Sequence, residues 1–358
     1  MTAQDSTLES RARAALAHYG LGDARLGILG GGLINTSLRV DATDGRHCVL
    51  QQLHPVFDPA VNLNLDAVTR ELARTGLPTP LLLRTLAGAP WVTIDGRHWR
   101  LLSYVDGRSV DAIAEPALAR EAGRLLARFH RALAAFDAPL PHQRPPVHEP
   151  RRHFAALGEA RARHPGHRHA AAVGELAAEI DALFAGLPDL PGAPLRLVHG
   201  DPKISNLLFD AAGHGLCLVD LDTLARAPLC FELGDAFRSW CNPGPEDAAA
   251  PVFSASLFLA ALEGYASVAQ DLLTPAERAS VVPATAAVYL ELTARFAADA
   301  LDERYFGWAP ERYAGRGEHN LARARNQLAA ARDLLRQRAP LAREAARILA
   351  AVGRPAED

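Results

Sequence analysis

Val198-His199-Gly200-Asp201-Pro202-Lys203-Ile204-Ser205-Asn206 is followed by Val219-Asp220-Leu221-Asp222, with Asp220 fourteen residues beyond Asn206. The first stretch reads as a loop between short apolar segments at 195–198 and 207–209, and a third segment, 216–221, reads as a strand. In order the chain presents a carboxylate, a lysine two positions later, an amide five positions later, and further carboxylates at a hairpin's distance. Phosphoryl transfer rests on positioning and charge neutralisation, and these groups supply both. Asp201 suits proton acceptance from an attacking hydroxyl, and Lys203 suits neutralisation of a moving γ-phosphoryl group. Asn206 and Asp220 offer hard oxygens for Mg²⁺, which takes few protein ligands and otherwise phosphates.

Lys203 is the chain's single lysine: all but one of its 38 basic residues are arginine. Exchangeable surface lysines drift to arginine under a biased base composition because both stay charged and solvated. A site that needs a compact ammonium resists that drift. The same fact excludes a phosphate-binding loop of the G-x-x-x-x-G-K type, since Gly200 lies three positions before the only lysine.

The wider composition excludes several classes. With 358 residues, 49% hydrophobic and 22% charged, the chain is long enough for two domains and has the make-up of a folded globular protein. A net charge of −3 lacks the basic footprint of a nucleic-acid binder. Cys48, Cys217, Cys230 and Cys241 are scattered, with no C-x-x-C pair, and read as small core hydrophobes. Met1 to Ser10 carries acids where a secretion signal is basic, and the apolar run 281–301 contains Glu291, Arg295 and Asp299. A cytoplasmic protein with no membrane partner is expected, either monomer or homodimer.

Hydrophobic periodicity divides the chain. Up to about residue 105 it predicts a helix at 6–19, strands at 25–29, 37–40, 47–53, 81–86, 91–94 and 99–104, and a helix at 59–75. Beyond Asp106-Gly107 helical periods dominate, at 116–135, 153–163, 170–184, 257–270, 275–301 and, in pieces, 321–352. The fold class is therefore α+β in two lobes: a β-rich nucleotide-binding lobe, 1–105, and a mainly helical catalytic and substrate-binding lobe, 106–358.

The His199-x-Asp201-x-x-x-x-Asn206 stretch, with Lys203 and Val219-Asp220-Leu221-Asp222, resembles the catalytic and metal motifs of the aminoglycoside phosphotransferase and choline kinase superfamily, which shares the protein-kinase-like fold. Within it the chain is most similar to the N-acetylhexosamine 1-kinases. Leu29-Gly30-Gly31-Gly32-Leu33-Ile34-Asn35-Thr36-Ser37-Leu38-Arg39-Val40 is similar to their glycine loop, and Val49-Leu50-Gln51-Gln52 to their third strand. Arg295-Phe296, Asp299, Tyr305-Phe306 and His319-Asn320-Leu321 with Arg323, Arg325 and Gln327 resemble their sugar-side pattern. Tyr305 stands closer to Arg295 than that pattern has it, and the segment between Phe306 and His319 is rich in Arg, Gly and Pro.

The resemblance implies an ATP- and Mg²⁺-dependent kinase that phosphorylates the anomeric hydroxyl of an N-acetylhexosamine-like sugar. The alternative acceptors are an aminoglycoside, choline or another small alcohol, and the reading from another class is a pseudokinase. Gly30, Gly31 and Gly32 would admit the triphosphate, Asn35 or Thr36 would donate to it, and the hinge Ser103-Tyr104-Val105 would meet adenine through its backbone. The phosphate-gripping lysine of a kinase third strand is missing, so Gln51 or an arginine from elsewhere must replace it. Glu71 stands where that lysine's carboxylate partner would lie, or else on a solvated helix face. Asp222 contacts acceptor or metal, or makes a structural hydrogen bond. Asp235 resembles the aspartate that braces the catalytic loop. Arg295, Tyr305 and Trp308 are the sugar-side candidates, with Tyr313 a further aromatic that could stack on a ring. His164, His167 and His169 read as a solvated loop.

Overall fold

The computed structural model describes residues 3–29 and 35–351. Gly30, Gly31 and Gly32 lie outside the described residues. The chain divides into two compact units, one of Met1–Gly107, Ala135–Arg144 and Val219–Leu224, the other of Arg108–Ala134, Pro145–Leu218 and Ala225–Asp358. Two later stretches thus return to the N-terminal unit, and no shift of composition marks either.

The first unit contains α1 (Ala3–Ala17), β1 (Arg25–Ile28), β2 (Thr36–Asp41), β3 (His47–Gln52), α2 (Val61–Arg74), β4 (Leu82–Leu83), β5 (Val92–Ile94) and β6 (Arg97–Ser103). The strands form one antiparallel sheet in the order β1-β2-β3-β6-β4, with β5 also on β6. Alternation along the strands sends Leu38, Val40, Cys48, Leu50, Trp99 and Leu101 into a core shared with Ala12, Ala15 and Leu16. Each such side chain, fully enclosed, contributes about 1.5–3 kcal/mol if it is a large aliphatic. Gln51 and Arg100, directly paired across β3 and β6, fall on the other face. The expected strand 81–86 keeps only two residues, because the Leu81 N–H is taken by Ser103 Oγ and the chain turns at Gly88, whose φ is +83°.

The second unit contains α3 (Pro116–Leu133), α4 (Pro150–Arg163), α5 (Ala170–Ala185), β7 (Leu195–Val198), β8 (Leu207–Phe209), β9 (Gly215–Leu218), β10 (Ala225–Pro228), α6 (Leu229–Trp240), α7 (Ala255–Ala269), α8 (Pro275–Asp302), α9 (Arg316–Arg336) and α10 (Arg338–Ala351). β7 pairs with β10 and β8 with β9, both antiparallel. α8 starts at a Thr274–Glu277 capping box and is buried on every face, packed by α4, α5, α6, α9 and α10. Among the described residues no helix is long and apolar enough to cross a membrane.

Three elements differ from expectation. The strand expected at 216–221 ends at Leu218, and Leu221–Thr223 is a 3₁₀ turn. β10 and α6 are not among the expected elements. Asp235 sits inside α6. All four cysteines are buried and free, and burial pushes the Cys217 and Cys230 thiols up to about 12.

Candidate active site

The loop after β7 turns at Gly200, where φ is +85°, a conformation that suits glycine. Asp201 follows, then Pro202 and Lys203, and the 3₁₀ turn Ile204–Asn206 leads into β8. Lys203 Nζ donates to Asp201 Oδ2 at 2.7 Å, with both side chains between a quarter and a third exposed. Asn206 Nδ2 donates to the Asp201 carbonyl at 2.8 Å and approaches Oδ2 at 3.3 Å. The three residues singled out in this motif therefore converge on one carboxylate, and the nitrogen end of the Asn206 amide is the end the loop holds.

The loop is pinned from α6. Both oxygens of the buried Glu232 accept backbone N–H groups, Oε1 from His199 at 2.8 Å and Oε2 from Gly200 at 2.9 Å. At the C-terminal end of α6, Ser239 Oγ accepts the Ile204 N–H and Trp240 Nε1 donates to the Pro202 carbonyl. Burial pushes the Glu232 carboxyl up, but the His130 hydrogen bond, the neighbouring imidazoles and the Gly200 N–H outweigh it and hold it below its ordinary value.

This corrects the expectation for Asp235. The loop's brace is Glu232, one helical turn earlier, while Asp235 pairs with Arg238 of its own helix and with His148. His148 also meets Glu291 of α8 at 3.0 Å, so a fully enclosed imidazole lies between two carboxylates. Burial works against its cation, yet the charges of Glu291 and Asp235 prevail and raise it to about 10.

In the first unit Arg100, Gln51, Asn35, Asn62 and Asp222 form one buried network. Arg100 donates through Nη1 and Nη2 to the two Asp222 oxygens, through Nε to Gln51 Oε1, and through Nη1 to Asn62 Oδ1. Asn35 Nδ2 donates to Asp222 Oδ2 at 2.6 Å while its Oδ1 accepts the His54 N–H. The acceptor- or metal-contact reading of Asp222 is thereby corrected: its side chain is 1% exposed and engaged by arginine and asparagine. Asn35 is likewise held by protein partners at both ends of its amide. Gln51 donates to Ser37 Oγ and accepts from Arg100, so an arginine does stand beside it, enclosed in the network. Glu71 pairs with Arg74 on the outer face of α2, and Asn62 is the α2 residue that faces Arg100.

Thr36 is exposed at the start of β2, Ser103 Oγ is engaged by Leu81, and the Tyr104 N–H donates to the His47 carbonyl. Val105 is half-buried. Asp220 precedes the Leu221–Thr223 turn with φ +64° and ψ +53°, a left-handed conformation that aspartate tolerates better than most residues.

The C-terminal pattern resolves into supports and presented groups. Asp299 accepts the N–H groups of Arg304, Tyr305 and Phe306 and the amide of Asn320, which folds the chain after α8 into a tight loop. Arg323 donates to the Gly307 carbonyl, and Arg295 lies over the Phe306 ring. On this loop Tyr305 is 53% exposed and Trp308 half-buried. Tyr313 stacks on His319, and both bond Asp247. The 164–169 histidines are not a solvated loop: His164, His167 and His169 turn to Asp302, Glu303 and Glu318 respectively.

A family model described as the phosphotransferase enzyme family matches residues 26–270, more than half of the chain and all of the loop from His199 to Asp222. The chain belongs to that family. It is 30% identical over 202 residues to a homoserine kinase of Rhizobium etli (strain CIAT 652), a match that covers 56% of this chain and 58% of that protein. The chain thus spans less than two thirds of that relative's length. Among solved structures, an aminopropanol kinase associated with a microcompartment superposes with a TM-score of 0.64 at 18% identity, covering 92% of this chain and 98% of that one. Amicoumacin kinase in complex with AMP-PNP, Ca²⁺ and Ami gives 0.61 at 15%, covering 98% and 94%. A choline/ethanolamine kinase family protein from Mesorhizobium loti gives 0.57 at 18%, covering 97% and 99%. These likenesses establish the fold, the mixed protein-kinase-like arrangement with its sheet in the N-terminal part and its helices mainly in the C-terminal part.

Proposed function

We propose that this chain transfers the γ-phosphoryl group of ATP to a hydroxyl of a small polar acceptor, with Asp201 as the base. The observation that carries this reading is the Lys203 ammonium 2.7 Å from a partly exposed Asp201 carboxylate on a loop clamped by Glu232. The acceptor oxygen bonds to the γ-phosphorus as the bond to the β-phosphate oxygen breaks; the hydroxyl proton passes to Asp201 and ADP leaves. Lys203, already beside the carboxylate, neutralises charge on the transferred group. Asn206, whose amide is anchored by its nitrogen, and Asp220 are hard-oxygen donors of the kind Mg²⁺ takes; the ion would screen phosphate charge. Asp220 enters on the V-D-L-D spacing alone. On the nucleotide side, Gly30 to Gly32, Thr36 and the 103–105 backbone keep the roles the family resemblance assigns them.

For the acceptor, the reading is the anomeric hydroxyl of an N-acetylhexosamine-like sugar. Its support is the resemblance at 295–327 together with the loop that Asp299 organises, which presents Tyr305 and the half-buried Trp308, while Arg295 lies over Phe306 of the same loop. A hydroxy amino acid or amino alcohol is the second reading, favoured by the 30% identity to a homoserine kinase. Purified protein with MgATP is to be assayed for ADP release against N-acetylhexosamines, hexoses, L-homoserine, choline, ethanolamine and aminoglycosides, with ³¹P NMR of the product. An acid-labile phosphate coupled to the anomeric proton supports the sugar reading. A phosphate on homoserine or an amino alcohol overturns it, and no transfer to any acceptor overturns the kinase reading.

A further inference from the structure

We propose that His130 and Tyr265 act as a positioning pair that holds Glu232, and through it the Asp201 loop, in working register. The proposal rests on the reading of Asp201 as the base. Glu232 accepts three groups: the His199 and Gly200 N–H groups already described, and His130 Nε2, which stands 3.4 Å from Oε1. On its other edge His130 Nδ1 meets Tyr265 Oη at 2.9 Å. All three side chains are enclosed, with His130 4%, Glu232 2% and Tyr265 0% exposed. The chain of contacts thus runs from α7 through α3 to α6 and ends at His199 and Gly200, the two residues before Asp201.

A carboxylate that grips two successive backbone N–H groups holds the loop only as well as it is itself held. One with no side-chain donor could rotate about its χ angles and carry the loop with it. His130 supplies that donor, and Tyr265 fixes the ring: with Nε2–H directed at Glu232, Nδ1 is left to accept the tyrosine hydroxyl. A hydrogen-bonded ring cannot turn without breaking one contact or the other.

The helix packing sets this distance. A Cβ on Gly123 of α3 would lie 1.9 Å from the Ala261 carbonyl oxygen, and one on Gly264 of α7 would lie 1.9 Å from the Arg120 carbonyl oxygen. Backbone therefore meets backbone where α3 and α7 cross. His130 lies two turns beyond Gly123 on the same helical face, and Tyr265 is next to Gly264. The crossing brings the imidazole and the phenol within hydrogen-bond reach.

The test combines two readouts on His130→Phe, His130→Gln, Tyr265→Phe, Glu232→Gln and the double variant His130→Phe/Glu232→Gln. Backbone amide exchange over 197–206, followed by mass spectrometry without substrate, reports the loop directly. Steady-state turnover is taken with MgATP and whichever acceptor of the panel gives most ADP, or with water where none does. In His130→Phe, loop exchange should speed by roughly tenfold and kcat fall about tenfold to a hundredfold, with KM for ATP within about twofold. His130→Gln, whose amide can still donate to Glu232, should recover most of both, and Tyr265→Phe should shift both in the same direction by less. The double variant should lose no more than Glu232→Gln alone, because both act through one carboxylate. Unchanged loop exchange in His130→Phe, or losses that multiply in the double variant, would overturn the proposal. If His130→Phe does not fold, unaltered exchange in both His130→Gln and Tyr265→Phe overturns it. Altered exchange without any wild-type turnover would uphold the positioning pair and remove the kinase reading instead.

Discussion

The Arg100 guanidinium and the Asp222 carboxylate meet fork on fork, each arginine terminal nitrogen on one aspartate oxygen, with 0% of one side chain and 1% of the other exposed. Removing one partner of such a pair leaves a charge enclosed without compensation. Asp222→Asn should therefore lower the stability of the first unit by about 3–5 kcal/mol, as measured by urea denaturation. A loss below about 1 kcal/mol would mean that Gln51, Asn62 and water satisfy the guanidinium without the carboxylate.

Lys203→Arg keeps the charge and changes the shape. A guanidinium is broader and prefers a planar grip, so beside Asp201 it displaces either the carboxylate or the phosphoryl oxygens. A shift of about 1 Å at a reacting centre lowers turnover on the order of a hundredfold, so kcat should fall by that amount with little change in acceptor KM. The chain's single lysine permits a second check, since amine acylation should modify Lys203 in the free protein and be blocked by MgATP. An arginine variant at full rate sinks the assignment.

Asp201→Asn and Asp220→Ala should separate chemistry from metal binding. The first removes proton acceptance and should reduce kcat by about a hundredfold to ten-thousandfold while calorimetric ATP affinity stays near wild type. The second should abolish the Mg²⁺ dependence of nucleotide binding. An Asp220→Ala titration that matches wild type takes Asp220 out of the metal site.

His148 makes stability fall in alkali. Its imidazole titrates near 6.5 when unfolded and about 10 when folded, so the folded state binds the extra proton between those values. The stabilisation is full below about pH 6.5 and is lost as pH rises towards 10. Stability against urea, measured from pH 6 to 10, should decline more steeply in wild type than in His148→Gln. Parallel profiles would show that the imidazole is not charged in the fold.

The motif at 198–206 was legible because its chemistry is local: Asp201, Lys203 and Asn206 meet within one turn of loop. What holds the loop was less so. α6 does repeat its apolar residues at helical spacing, Leu229, Leu233, Ala236, Phe237 and Trp240, but it is only twelve residues long and carries Gly234, a poor helix former, near its middle. The structure gives that glycine another cause, since a Cβ there would come within 2.9 Å of the Ala284 carbonyl of α8. Glu232 stands one turn before Asp235 on the same face, and only its contacts with the His199 and Gly200 N–H groups single it out as the brace. Asp222 is the converse case. Its neighbour Asp220 lends it a metal motif's appearance, while its partners Asn35 and Arg100 are 187 and 122 residues away in sequence.

The burial of the four thiols also makes the protein its own stopwatch. Cys48 belongs to the first unit and Cys217, Cys230 and Cys241 to the second, and all are shut away from reagents while their units stay closed. Alkylation in brief pulses, weighed by intact mass, then counts openings: one added group marks the first unit coming apart, three mark the second, and four at once mark a chain that melts as a whole. Each lobe carries a different number on its seal.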